Sequence, residues 1–297
     1  MDIRVLRYFL TVAREGSITG AANFLHVTQP TLSRQLKELE AELGKKLFVR
    51  SNYSVKLTEE GMLLRKRAED ILDMVEKTKT EFLTMDDITG GDIYIGAAET
   101  DAFRHVAQAA MALQSQYPDM RYHLFSGNVY GVIQRLDRGL DDFGIVVDPV
   151  DLSKYNYVTL PYRDRWGVIM QKNNPLASKA AIRAEDLIGI PLIVSRQAME
   201  PSLSRNEFSA WFGDTLDQLK IVATYSLGFN AFIMAREGLG SVIGFDKMIN
   251  TATENKLEFR PLEPQLESGL HIIWKKYQVF SPAAELFLNE IKQKMHS

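Results

Sequence analysis

The chain has no cysteine among its 297 residues. That excludes disulfides, thiolate metal sites and thiol-based redox sensing. Histidine is scarce and scattered, at His26, His105, His123, His271 and His296, with neither an HExxH pair nor a cluster, so no metal centre is expected. No GxSxG, GxGxxG or Walker loop occurs, which removes the common nucleophile and nucleotide-cradle signatures. Long apolar runs are missing too; nothing approaches the roughly 20 residues of a membrane span. Charges at Asp2, Arg4, Arg7 and Arg14 interrupt the segment where a secretory leader would carry its apolar core. The expectation is a cytoplasmic chain with no membrane partner, no cofactor and no catalytic role. The pair Asp141-Asp142 reads as strand-edge surface rather than acid–base machinery, and Gly238-Leu239-Gly240 reads as a helix end.

What is present is ordinary in bulk and uneven in detail. Hydrophobic residues make up 45% and charged residues 25%, and the length allows two or three domains with sizeable cores. The net charge of −3 conceals a basic head: residues 1–58 hold nine Lys/Arg against five Asp/Glu, leaving −7 on the rest. A small basic module on a larger acidic body fits polyanion binding.

Residues 3–15 carry Ile3, Leu6, Phe9, Leu10 and Ala13 at helical spacing, and Gly16 ends that helix. Ser17 suits the N-cap of a second helix over roughly 18–25, packed through Ala21, Ala22, Phe24 and Leu25. Thr28 suits the N-cap of a third, with Pro30 tolerated in its first turn and Gly44 stopping it. Along this third helix Leu32, Leu36, Leu39 and Leu43 form an apolar stripe, while Pro30, Thr31, Ser33, Arg34 and Lys37 fall on the other side. A helix that packs by one face and offers Thr, Ser, Arg and Lys on the other suits the DNA major groove. Two β-prone segments follow, Lys46–Val49 and Val55–Leu57 around a polar tip, and read as a wing.

Leu64, Ala68, Ile71, Val75, Thr78 and Phe82 then recur at heptad spacing in a long helix. Two readings fit: a dimerisation seam, or a helix lying on its own domain. Residues 86–92, with Gly90 and Gly91, look like a hinge. Beyond it strands alternate with helices, which argues for an α/β architecture of mostly parallel sheets in two lobes.

Ser17, Ala21-Ala22, Leu25, Thr28-Gln29-Pro30, Leu32-Ser33, Leu36, Leu39-Glu40, Leu43-Gly44, Leu47-Phe48, Arg50, Leu57-Thr58 and Gly61 stand in register over more than forty residues. In that arrangement the chain resembles the LysR-type transcriptional regulators. Leu136, Gly139 and Asp142, Leu160-Pro161 and Gly238-Leu239-Gly240 extend the resemblance through the looser second half. The resemblance implies an N-terminal winged helix-turn-helix (1–58), a linker helix and hinge (59–89), and a two-lobed, periplasmic-binding-protein-like α/β effector domain (90–297). Lobe I would take 90–161 and 267–297, and lobe II 162–266. It further implies a homodimer through the linker helix, assembly into a tetramer, a small-molecule effector between the lobes, and promoter DNA and RNA polymerase as partners. A solute-binding protein of a transport system is the alternative for the second half.

For DNA, Gln29 can pair with adenine, Arg34 with guanine or phosphate, and Thr31 and Ser33 with phosphate or a base edge. Lys37 suits a phosphate, Pro30 shapes the turn, and Arg50 reaches phosphate or the minor groove from the wing. Where many relatives carry a second basic residue at the wing tip, this chain has Tyr53, with Lys56 as the other source of charge. In the effector domain, ligands sit at the carboxyl ends of strands, where helix N-termini offer free N–H groups. Thr100, Ser126, Asn128, Ser195 and Arg196 hold such positions, with Ser226 and Phe245 as outer wall. Arg196 points to an anionic effector, while Glu99 and Asp101 at the same mouth point to an amine or a zwitterion.

Overall fold

A computed structural model describes residues 1–50, 55–83, 90–199, 207–249 and 256–296. Contacts divide it into two units, Met1–Leu83 and Thr84–Ser297. No helix among the described residues is long and apolar enough to cross a membrane.

In the first unit, α1 (Ile3–Glu15), α2 (Ile18–Phe24) and α3 (Gln29–Leu43) enclose a core in which Phe9, Leu32 and Leu36 are wholly buried. Local chemistry sets the boundaries. The Ser17 hydroxyl accepts from Gly20 N–H and the Thr28 hydroxyl from Thr31 N–H. Gly44 closes α3 at φ +64, a left-handed conformation that a Cβ disfavours. The leucine stripe holds at Leu32, Leu36 and Leu39, but Leu43 is 41% exposed. In the last turn the inward position belongs instead to Glu40, buried to 5% exposure. Its Oε1 accepts from Leu47 N–H at 2.9 Å, and Lys46 Nζ lies 3.0 Å from Oε2. Phe24, expected to pack inward, is also exposed; the Arg14 guanidinium lies over its ring at 4.4 Å.

Strands β1 (Phe48–Arg50) and β2 (Val55–Leu57) pair antiparallel, with Phe48 opposite Leu57 and Arg50 opposite Val55. The wing tip, Tyr53 included, lies outside the described residues. Helix α4 (Glu59–Leu83) starts on Thr58, whose hydroxyl accepts from Gly61 N–H and donates to the Lys46 carbonyl at 2.7 Å. Gly61 has to be glycine, because a Cβ there would stand 2.1 Å from the Leu47 carbonyl oxygen. The heptad seam divides. Ala68 is buried and Leu64 and Ile71 pack on the core of their own unit, whereas Phe82 is 71% exposed.

The second unit holds a sheet in the order β4-β3-β5-β11-β6-β9-β7-β8, with β10 beside β6. Its elements run β3 (Gly90–Ala97), α5 (Phe103–Gln116), β4 (Asp119–Ser126), α6 (Val129–Asp137), β5 (Phe143–Val147), β6 (Tyr155–Gln171), β7 (Pro191–Ser195), α7 (Glu207–Phe212), β8 (Lys220–Tyr225), α8 (Gly228–Arg236), β9 (Ser241–Phe245), β10 (Leu257–Pro261), β11 (Glu267–Lys275) and α9 (Pro282–His296). The sheet is mixed rather than mostly parallel. Parallel pairs lie among β3, β4 and β5 and among β7, β8 and β9, but the centre is antiparallel, where β6 pairs β11, β9 and β10. Gly90 to Asp92 belong to β3 and pair with Asp119 to Arg121, so they form no hinge; residues 86–89 lie outside the described residues. Asp141 and Asp142 are buried, not surface: Arg135 makes a bidentate pair with Asp141, and Asp142 accepts from Tyr94 N–H. The two largest apolar cores gather β3, β5, β11, α5 and α9, and the later part of β6 with β7, β9 and α7; two smaller ones pack under α6 and under α8.

Glu40 sets a test of the first unit. Burial alone would raise its carboxyl, but the Leu47 amide, the Lys46 ammonium and the Phe48 amide outweigh it and hold it below the ordinary 4.5. Its stabilisation is therefore complete above pH 4.5 and is lost as pH falls through the lower folded value. Glu40→Ala should cost about 1–3 kcal/mol through the stranded amides. Hydrogen exchange at Leu47 and Phe48 should accelerate in the variant at neutral pH; unchanged protection would show that the carboxylate does not hold the wing.

Candidate functional site

On α3 the first turn carries no acidic residue. Gln29, Pro30, Thr31, Arg34 and Lys37 are exposed, and Ser33 is half-buried. The structure therefore brings these sequence-expected residues onto one face, opposite the buried leucines, with Arg50 at the end of β1. Thr31 and Arg34 have partners on the same helix or its cap. Thr31 Oγ1 lies 2.8 Å from Thr28 Oγ1. Arg34 Nε lies 3.8 Å from Glu38, with both side chains well exposed. An exposed pair at that distance is worth little and yields readily to a phosphate or a base. Gln35 also donates to Glu38 at 2.8 Å, so that carboxylate keeps a partner if Arg34 leaves.

The second unit contains a cavity of about 640 Å³, well within the range that small-molecule sites occupy. Asn128 and Ser195, expected from strand ends, line it together with Ser226 and Phe245, expected as outer wall. Asn128 also caps α6, accepting from Gly131 N–H at 2.9 Å, which leaves its amide N–H groups for a ligand.

Thr100, Ser126 and Arg196 lie outside the cavity lining. The Thr100 hydroxyl is used elsewhere: it donates to Asp164 Oδ2 at 2.6 Å and accepts from Ala102 N–H. Arg196 has an exposed side chain, and its N–H donates to the Tyr225 carbonyl. The next residue, Gln197, faces the cavity instead. Its Oε1 accepts from Val129 N–H and its Nε2 donates to the Val147 carbonyl, each at 3.4 Å. Asp101, expected at the mouth, is ion-paired with Arg104 and does not line the cavity.

Sequence reasoning passed over the rest of the wall. Asp148 follows β5, so the strand-end rule that selected Asn128 selects it too; His271 Nε2 lies 3.1 Å from its Oδ1. Trp166, Arg163 and Ser268 come from β6 and β11, strands whose contribution no local signal announced. Trp166 donates to Ser268 Oγ at 2.9 Å, and its ring lies tilted against Phe245 and Phe208, with centroids 4.4 Å and 5.0 Å away. Beside them Asp164 is fully buried, and its Oδ1 has no hydrogen-bond partner among the described residues.

The two units match different halves of one family. The family model described as "LysR substrate binding domain" matches residues 88–296, and that described as "Bacterial regulatory helix-turn-helix protein, lysR family" matches residues 3–62. The chain is 27% identical to the "Uncharacterized HTH-type transcriptional regulator YvbU" of Bacillus subtilis, covering 99% of this chain and 98% of that one. It is also 27% identical to the "Hca operon transcriptional activator HcaR" of Escherichia coli, covering 100% and 99%. In fold it is similar to full-length CbnR complexed with its target DNA, at a TM-score of 0.77 and 19% identity over 99% of each chain.

Asp164 provides a test that needs no ligand. Burial, then the charges of Asp246 and Asp101, raise its carboxyl from 3.8 to about 6 against the Thr100 hydrogen bond and Lys247. The folded state thus binds the proton more tightly than the unfolded one, and stability falls as pH rises from 3.8 to about 6. In Asp164→Asn that component disappears. The difference in melting temperature, variant minus parent, should grow in the variant's favour across this window and then level off; a flat difference would show that Asp164 does not titrate there.

Proposed function

The chain belongs to the LysR family of bacterial regulatory helix-turn-helix proteins, and we propose that it reads promoter DNA with the first turns of α3 under control of a small molecule in the cavity of its second unit. The observation that carries this reading is the division of α3: leucines buried on one side, and a carboxylate-free first turn with Gln29, Arg34 and Lys37 exposed on the other. In this reading Gln29 and Arg34 contact base edges, while Thr31, Ser33 and Lys37 hold phosphates. Pro30 sets the approach, and Arg50 steadies the wing. Residues 1–58 form the DNA-binding module, 59–89 the connection, and 90–297 the effector domain, with lobes 90–161 plus 267–297 and 162–266.

The exposed end of the α4 seam at Phe82 supports pairing of two copies along α4. A dimer places its recognition helices on half-sites spaced by whole helical turns. Pairs of dimers then build the tetramer, and effector binding alters the bend that RNA polymerase meets. The setting is the cytoplasm, and the activity is binding rather than catalysis. The DNA seen with CbnR supports the promoter as partner. Nothing in the matches favours the solute-transport alternative.

Arg34→Ala decides whether that guanidinium reads sequence. Loss of a bidentate base contact lowers discrimination by about 1–3 kcal/mol. Affinity for the chain's own promoter fragment should therefore fall well beyond affinity for scrambled DNA at equal salt, measured by fluorescence anisotropy. Equal weakening on both would reduce Arg34 to a phosphate contact. No preference in the parent protein would overturn the regulator reading itself.

A further inference from the structure

Among the described residues, the cavity wall carries four carboxylates, Glu99, Asp148, Asp151 and Glu207, against one guanidinium, Arg163. The guanidinium is already engaged: Nε lies 3.3 Å from the Glu267 carboxylate, and Nη2 donates to the Glu267 carbonyl. Asp148 is shared with His271. Hydrogen bonds from Ser153 hold the Asp151 carboxyl below its ordinary value, so it is ionised at neutral pH. Glu99 differs from these. Its carboxylate accepts from Gly228 N–H at the start of α8, and no cation among the described residues lies within ion-pair distance. Its charge is felt nearby: burial, and after it Glu99, push the Tyr225 phenol upward.

Next to this carboxylate stands an aromatic ring. A Cβ built on Gly228 would lie 2.7 Å from Phe232 Cζ and 3.5 Å from Glu99 Oε2, so ring and carboxylate flank the same backbone atom. Both line the cavity, together with the Trp166, Phe208 and Phe245 cluster. A carboxylate beside an aromatic face recognises an ammonium by charge and by cation–π attraction. The remaining aromatic wall offers burial for an apolar body. An anion meets the opposite situation. The Gly228 N–H at the start of α8 is already occupied by Glu99, and like charges repel strongly where water is excluded.

We propose that the effector is an organic cation, an ammonium on an aromatic or aliphatic body, with Glu99 as its counter-ion. The assignment rests on the reading of this cavity as the effector site. It resolves the opposed signals of the sequence, because Arg196 lies outside the wall and Glu99 lies within it. When an ammonium binds, Glu99 exchanges its bond to Gly228 N–H, wholly or in part, for the ligand.

The test uses matched skeletons that differ in charge: 2-phenylethylamine, 2-phenylethanol and phenylacetate, then hexylamine, hexanol and hexanoate. Each is titrated into the full chain and followed by calorimetry and by tryptophan fluorescence. Amines should bind at least about tenfold more tightly than the carboxylates, equivalent to about 1.4 kcal/mol. Glu99→Gln retains an acceptor for Gly228 N–H and so should keep the fold, checked by circular dichroism, yet it should erase that preference. Carboxylates binding as well as amines, or a preference that survives Glu99→Gln, would overturn the cationic assignment and leave the cavity as an effector site. If no form of either skeleton binds while promoter binding is intact, the cationic assignment and the effector reading of the cavity fall together.

Discussion

Two antiparallel strands carry the architecture of the larger unit. β6 and β11 pair from Arg165 opposite Glu267 to Tyr155 opposite Lys275. β6 then continues past this ladder to pair with β9 and β10. A single covalent strand therefore supplies Leu160 to one apolar core and Trp166, Val168 and Met170 to the other. The cavity is lined from both sides of this crossing, by Val147 of the first core and by Trp166, Ala198 and Phe208 of the second. The polar residues of the crossing, Arg163 to Arg165, sit where neither core claims the chain. There Asp164 is buried at a cost that Thr100 only partly offsets.

The smaller unit solves a different problem, keeping the first turn of α3 free of carboxylates while most of its cations elsewhere are ion-paired. Its acidic groups are drawn into structural tasks. Glu40 turns inward to receive the Leu47 and Phe48 amides. Glu76 pairs with Arg7, linking α4 to α1. Glu38 alone stands beside the exposed face, in a long, solvent-screened contact with Arg34. Thr58 and Gly61 complete the wing's support by closing α4 directly onto the backbone of Lys46 and Leu47.

The head was legible in the sequence because its signals are local. Caps at Ser17 and Thr28, stops at Gly16 and Gly44, and the leucine period each act within one turn of helix. Where the reading missed, distant chain decided the outcome. Leu43 loses its inward place to Glu40 because residues 46–48 arrive beneath that turn. The first half of β6 carries no strand signal of its own, since Pro161 and the run Arg163 to Arg165 break its pattern; pairing with β11, a hundred residues later, fixes it. Strand direction is equally non-local, so alternation of elements could not reveal an antiparallel centre. Of the cavity, strand ends point to Asn128 and Ser195. The wall contributed by β6 and the choice of Gln197 over Arg196 depend on how two lobes face each other, which no short segment encodes.

Gln197 gives that facing a mechanical character. Its amide ties β7's end to Val129 and Val147 by two hydrogen bonds, both 3.4 Å long. Bonds of that length sit on the shallow outer slope of the hydrogen-bond well. A separation of a few tenths of an ångström would forfeit both at little energetic expense. Gln197 is thus held in the cavity wall by bonds that cost little to exchange for others.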